Sequence, residues 1–198
     1  KALRDQDFAF AFVQAALGNR GNASFAENWS AAKRCGFPRG AYHFVNATVD
    51  GVTQAKTFLA TRGSDIGEIP STIDLEKPPG CSDDCCEKSC KDWETIIRGW
   101  VDTVKAADER DPMIYAVEPF WNRCVCGSRA FAAHPVWMPA WPKFDFPNPM
   151  KYGGWKRWDF YQYDGNVRVG DGVIDINLFR GSKEELATFI EAHRAHAD

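Results

Sequence analysis

Apolar and polar positions follow two rhythms along the chain. Phe8-Ala9-Phe10-Ala11-Phe12-Val13 is apolar on both faces, which predicts a strand of a parallel sheet covered on both sides. Residues Asn22 to Cys35 place Phe25, Trp29 and Ala32 on one helical face, and Gly36 suits the helix end. Gly40 to Phe44 predicts the next strand. Asp50 to Arg62 predicts a helix burying Val52, Ala55, Phe58 and Leu59, and Pro70 to Glu76 a further strand. Trp93 to Ala107 reads as a helix, Met113 to Val117 as a strand, and Pro119 opens a short helix. Pro135 to Met138, Trp158 to Tyr163 and Val173 to Asn177 are three more strands, and Ser182-Lys183-Glu184-Glu185 is a capping box before a last helix.

Strand and helix units alternate early, and later strands follow one another with little helix between. That order describes an α/β fold, a TIM-like (β/α) barrel with shortened later crossovers. A doubly wound sheet would need a Gly-rich phosphate loop after the first strand, and Gln14-Ala15-Ala16-Leu17-Gly18 is not one. At 198 residues the chain is long enough for one substantial core, so a single domain over 1–198 is expected.

The pattern breaks at Ile73-Asp74-Leu75-Glu76. Carboxylates spaced i, i+2 on a strand share one face, while Ile73 and Leu75 take the other. The two acids then sit ~6–7 Å apart along the strand, from its rise per residue. Solvated acids at a strand end are the bland explanation. Acid pairs at this spacing are also the working groups of glycoside hydrolysis. In a barrel, chemistry gathers at strand C-termini. Those ends carry Gln14, His43, Asp74 with Glu76, Tyr115, Trp137 to Trp141, Gln162 and Asp175, which core packing alone does not require.

Composition narrows the rest. Apolar residues make up 44% and charged residues 26%, with net charge −3 and no basic block, so nothing points to nucleic acid or a membrane surface. No apolar run approaches the length of a membrane span. No cofactor or metal is called for. Eight Trp, fourteen Phe and five Tyr supply flat faces that suit sugar rings, and Trp137, Trp141, Phe144, Phe146 and Trp155 fall in Pro-rich stretches. The opening Lys1 to Gln6 reads as the polar end of a helix rather than as a signal peptide.

Of seven cysteines, Cys81, Cys85, Cys86 and Cys90 crowd a polar insertion at about 78–92, and Cys124 and Cys126 form a second group. Such a segment has little apolar content to fold it, and cross-links supply what burial cannot. Zinc sites favour C-x2-C pairs, which are missing. Disulfides, with Cys35 left as a buried and inert thiol, are the expectation. The sequons at Asn22, Asn28 and Asn46 are compatible with secretion.

The segments Phe8–Val13, Arg39–Phe44, Ile73–Glu76, Met113–Tyr115, Val136–Trp141, Phe160–Tyr163 and Val173–Phe179 resemble, in order, those of the glycoside hydrolase family 25 lysozymes. The resemblance implies a (β/α)5β3-type barrel and hydrolysis of the β-1,4 bond between N-acetylmuramic acid and N-acetylglucosamine in peptidoglycan. Glu76 would be the general acid. Asp74, expected to stay charged, would orient the substrate's own acetamide, and Asp175 would be a further acid in the pocket. Tyr42, His43, Tyr115, Trp137, Trp141, Tyr161 and Gln162 would line the sugar subsites, although His43 suits a hydrogen-bonding role better than acid–base work. Both cysteine groups would emerge at the barrel rim, with at least one bridge tying 81–90 to itself or to 124–126. Against the family pattern, the chain would begin in the helix after the family's first, Asp-bearing strand. Gln14 to Gly18 stands where the family carries Lys-Ala-Thr-Glu-Gly. These departures keep a second expectation open: a barrel of weak or lost activity serving as a glycan-binding or structural subunit. A chitin-like glycan is the alternative substrate.

Overall fold

The computed structural model describes residues 8–139, 151–170 and 172–194. An eight-stranded sheet forms its centre, and every strand expected from the sequence is there with adjusted limits. The first strand starts later than expected, β1 (Ala11–Leu17) running through Gln14, Ala15 and Ala16. Gly18, at φ 54°, turns it into the two-residue β2 (Arg20–Gly21), which pairs back antiparallel. There follow α1 (Phe25–Arg34), β3 (Arg39–Phe44), α2 (Gly51–Arg62), β4 (Thr72–Leu75), α3 (Cys90–Asp108), β5 (Met113–Ala116) and α4 (Glu118–Cys124). The chain continues with β6 (Val136–Pro139), β7 (Phe160–Val169), β8 (Gly172–Phe179) and α5 (Lys183–Ala192). The order across the sheet is β2-β1-β3-β4-β5-β6-β7-β8, with β1 and β3 to β7 parallel and both ends antiparallel.

The sheet curls, because residues far apart in strand order touch across its inner face. Phe12 of β1 stacks on Trp137 of β6 at 4.1 Å, and Phe10 meets Phe160 of β7 edge-on at 5.2 Å. Strand alternation divides the core accordingly. Met113, Tyr115, Trp137 and Phe160 pack inside the curl with Ile69 and Leu186. Ile73, Leu75, Ile114, Ala116, Val136 and Met138 face outward into the larger core against the helices. Among the described residues the curl is not sealed. The free flank of β1, paired only at Ala16 and Leu17, and the outer edge of β8 border a groove of about 650 Å³ lined by Phe8 to Phe12 and Val173 to Phe179.

Two helices differ from expectation. Ser89 and Asp92 cap each other reciprocally, so α3 begins at Cys90 rather than Trp93. In α2 the buried face is Gly51, Gln54, Ala55, Phe58 and Arg62, and Val52 is exposed. The cause is close contact with α3: a Cβ on Gly51 would lie 1.9 Å from the Ile96 carbonyl oxygen. Only glycine lets the helices approach so closely, and that contact sets the rotation of α2.

The cysteines pair as Cys81–Cys86, Cys85–Cys124 and Cys90–Cys126, so the insertion is tied both to itself and to the segment after α4. The Trp93 indole donates to the Cys85 carbonyl at 3.0 Å, and Arg123 pairs with Asp84 across the same seam. Cys35 is free, but it is half-buried rather than sequestered, because it caps α1 at the surface.

Gly51→Ala tests the helix contact. Helix propensity alone favours alanine by up to about 1 kcal/mol, whereas forcing a methyl into packed backbone costs about 1–3 kcal/mol. With the obstacle a carbonyl at 1.9 Å, we expect net destabilisation, read as a lower denaturant midpoint at unchanged slope.

Candidate active site

The inner face of the curl carries the polar residues that its apolar floor lacks. On β4 the outward positions are Ile73 and Leu75, which turns Thr72 and Asp74 inward. Glu76 follows at a bend just past the strand, half-buried, with Asp74 almost fully buried at 7% exposure. Asp175 comes from β8, and its charge acts on both Asp74 and Glu76. Three carboxyls from two strands that are not neighbours thus meet at one end of the sheet.

Aromatic and amide groups surround them. Tyr115 packs edge-on to Trp137 at 4.8 Å, and Tyr42 does so at 6.1 Å. The Tyr115 hydroxyl donates to Oε1 of Gln162 at 2.7 Å. The Trp137 indole donates to Oδ1 of Asn177 at 2.8 Å. Burial and the fields of Asp74, Asp175 and Glu76 raise the Tyr42 hydroxyl above its usual range, and burial with the same three acids raises Tyr115. Both phenols therefore stay protonated as donors.

The acids repel one another, with Asp74 buried, Glu76 half-buried and Asp175 exposed. Burial pushes Asp74 well up, and the charges of Glu76 and Asp175 add to it. Glu76 is raised by burial and then by Asp175. Asp175 is raised by burial and by Asp164, while a hydrogen bond from Gln162 acts in the opposite sense. The expectation of a raised Glu76 beside an ordinary, charged Asp74 is thus half right. In the free protein Asp74 is disfavoured as an anion as well, because it is the more deeply buried of the two. Its Oδ1 is buried without a hydrogen-bond partner among the described residues.

A match to the model of the glycosyl hydrolases family 25 spans residues 1–172. The chain belongs to glycosyl hydrolase family 25. Lysozyme M1 of Streptomyces globisporus is 30% identical over 193 residues, covering 93% of this chain and 64% of that protein. The chain therefore spans under two thirds of that relative's length. The N,O-diacetylmuramidase of Arthroderma benhamiae is 28% identical, over 91% of this chain and 76% of that protein. Among solved structures, the bacterial lysozyme from Streptomyces coelicolor superposes with a TM-score of 0.86 at 29% identity, over 96% of this chain and 90% of that one. A family 25 lysozyme from Aspergillus fumigatus gives 0.84 at 26%, with the same coverages.

Within this family 25 chain, Asp74, Glu76, Asp175, Tyr42, Tyr115, Trp137 and Gln162 come together as the sequence suggests. Two residues do not join them. His43 points outward, fully buried between Phe58 and Trp100, with its Nε2 at 3.2 Å from Oε1 of Gln54. Tyr161, one residue from Gln162 on a strand, falls by alternation on the outer face beside Trp158. Trp141, with Phe144 and Phe146, lies outside the described residues. Gln14 sits mid-strand, where Asn22 donates to its carbonyl at 3.0 Å. Sequence reading missed Asp164 and Asn177. Asn177 lies two residues beyond Asp175, where the strand period would have exposed it, whereas Asp164 lies across a register shift after Gln162 that the period does not foresee.

Burial holds the His43 imidazole down at about 4, with the Gln54 hydrogen bond opposing, against an ordinary 6.5. A depressed histidine leaves stability unaffected above 6.5. As pH falls from 6.5 to 4 only the unfolded chain takes up the proton, so stability drops by about 1.4 kcal/mol per unit. His43→Gln should reduce the slope of unfolding free energy against pH by that amount in this window, measured by urea titrations; an unchanged slope would contradict it.

Proposed function

We propose that the chain is a secreted muramidase. It would cleave the β-1,4 bond between N-acetylmuramic acid and N-acetylglucosamine of peptidoglycan with retention, through the substrate's own acetamide. The observation that carries this reading is the buried Oδ1 of Asp74, without a hydrogen-bond partner among the described residues, beside Glu76 and Asp175. An acetamide N–H would supply the missing donor. A donor to a carboxylate favours its charged form. Substrate binding would then leave Asp74 ionised and the available proton on Glu76.

Glu76 protonates the glycosidic oxygen as the bond from that oxygen to the anomeric carbon breaks. The acetamide oxygen, aimed by Asp74, forms its bond to the same carbon from the opposite side. Glu76, now a carboxylate, takes a proton from water as the water opens the cyclic intermediate, and two inversions give retention. Tyr42, Tyr115, Trp137 and Gln162 border the site where the sugars bind, and Trp141 would join them. The curled sheet supports a barrel of the (β/α)5β3 type, in one domain over 1–198 with the cysteine-rich insertion at about 78–92. Three disulfides fit an extracellular protein.

A second reading, a glycan-binding or structural barrel without turnover, draws on the unsealed groove between β1 and β8. Release of reducing ends from purified peptidoglycan separates the two, with chitin run alongside.

Glu76→Gln should cut wall-turbidity loss by about 10²–10⁴-fold, the usual worth of a general acid, while pull-down on insoluble walls stays unchanged. Lysis at the unmodified rate would overturn the assignment.

A further inference from the structure

Asn177 of β8 is held by its oxygen. The Trp137 indole donates to its Oδ1 at 2.8 Å. An indole nitrogen can only donate, so the oxygen of this amide is committed to Trp137 and the nitrogen is turned the other way. Trp137 has little freedom to point elsewhere, because it stacks on Phe12 at 4.1 Å and meets Tyr115 edge-on at 4.8 Å. Opposite Asn177 in register, Gln162 has its oxygen held in the same way, by the Tyr115 hydroxyl at 2.7 Å. The amide nitrogen of Asn177 carries two hydrogens. One goes to the Asp175 carbonyl at 3.4 Å, and the other has no acceptor among the described residues. Asn177 is half-buried and lines the groove of about 650 Å³ together with Tyr42, Trp137 and Asp175. Phe10, Phe12 and Leu178 give the same groove apolar walls.

We propose that Asn177 is a specificity residue: its remaining N–H donates to the carbonyl oxygen of an acetamido group on the bound glycan, and the apolar walls of the groove take that group's methyl. The proposal deepens the glycosidase reading, on which it rests for the ligand being a glycan. A sugar ring presents hydroxyls, which donate as well as accept, and acetamido carbonyls, which only accept. A donor suits either one, but only the acetamido group also brings a methyl for the apolar walls. An acceptor in place of that N–H would still suit a hydroxyl, which can turn its proton round, and would repel a carbonyl. The acetamide aimed by Asp74 has its oxygen committed to the anomeric carbon, so the group met by Asn177 belongs to another ring of the glycan.

The test is affinity in a Glu76→Gln background, which separates binding from turnover, measured by NMR titration with chitotetraose and with cellotetraose. Both probes are neutral, and they differ in carrying an acetamido group or a hydroxyl at the same ring position. The parent should prefer chitotetraose. Asn177→Asp keeps an oxygen for the Trp137 indole and nearly the same volume, but has no N–H to give. It should weaken chitotetraose by about tenfold, the scale of one hydrogen bond lost with its partner left unsatisfied, and leave cellotetraose within about twofold. The charge it adds would act on both neutral sugars alike. Asn177→Leu, which also releases the indole, should weaken both. An equal loss on both sugars in the aspartate variant, or no loss on either, would overturn the proposal. So would a parent without preference for chitotetraose, a measurement that needs no change at residue 177 and holds even where a variant does not fold. A preference that Asn177→Asp erases, in a protein whose Glu76 form releases no reducing ends from peptidoglycan, would uphold Asn177 and count against the glycosidase reading.

Discussion

Everything in this molecule depends on the curl of one sheet. A parallel sheet buried on both faces has no solvated side on which to keep polar residues. Here the rings of Phe10 and Phe12 reach across to Phe160 and Trp137, strands that are not their neighbours. That contact makes the inner face a narrow bowl with an aromatic floor. Acids placed at the strand ends therefore converge at its rim instead of spreading along a flat edge. The burial that raises Asp74 and Glu76, and the repulsion that adds to it, are consequences of this shape.

The outer face answers a different demand. Gly51 lets α2 settle onto α3, and that rotation brings Gln54 inward. Gln54 then serves several partners at once: Nε2 of His43, the amide of Asn46, and the carbonyls of Asn46 and Val49. The histidine is a structural acceptor or donor among helices, with its ring kept neutral by burial. A motif that puts His43 next to Tyr42 thus supplies both faces of the sheet, one residue for each.

Much of this could be read in the chain because the central strands β3 to β6 keep regular alternation. Asp74 with Glu76, and Trp137 apart from Val136 and Met138, follow directly from period two. The same rule, applied evenly, would have removed His43 and Tyr161 from the mouth and added Asn177, while Asp164 follows a register shift in β7. What could not be read depends on contacts distant in sequence. The rotation of α2 comes from a carbonyl on α3, the start of α3 from a reciprocal cap, and the pairing of six cysteines from where two loops meet. The strength of the push on Asp74 also needed three dimensions, because it combines depth with charges from β4 and β8.

The cystine bridges at the rim have a developmental consequence. Cys85 and Cys90 find their partners 39 and 36 residues downstream, across the whole of α3 and β5. During synthesis that wall waits, unfastened, until the later segment has emerged and a thiol oxidant is at hand. The chain could thus fold in a reducing environment with a loose rim, and gain the finished vessel only where such an oxidant is present.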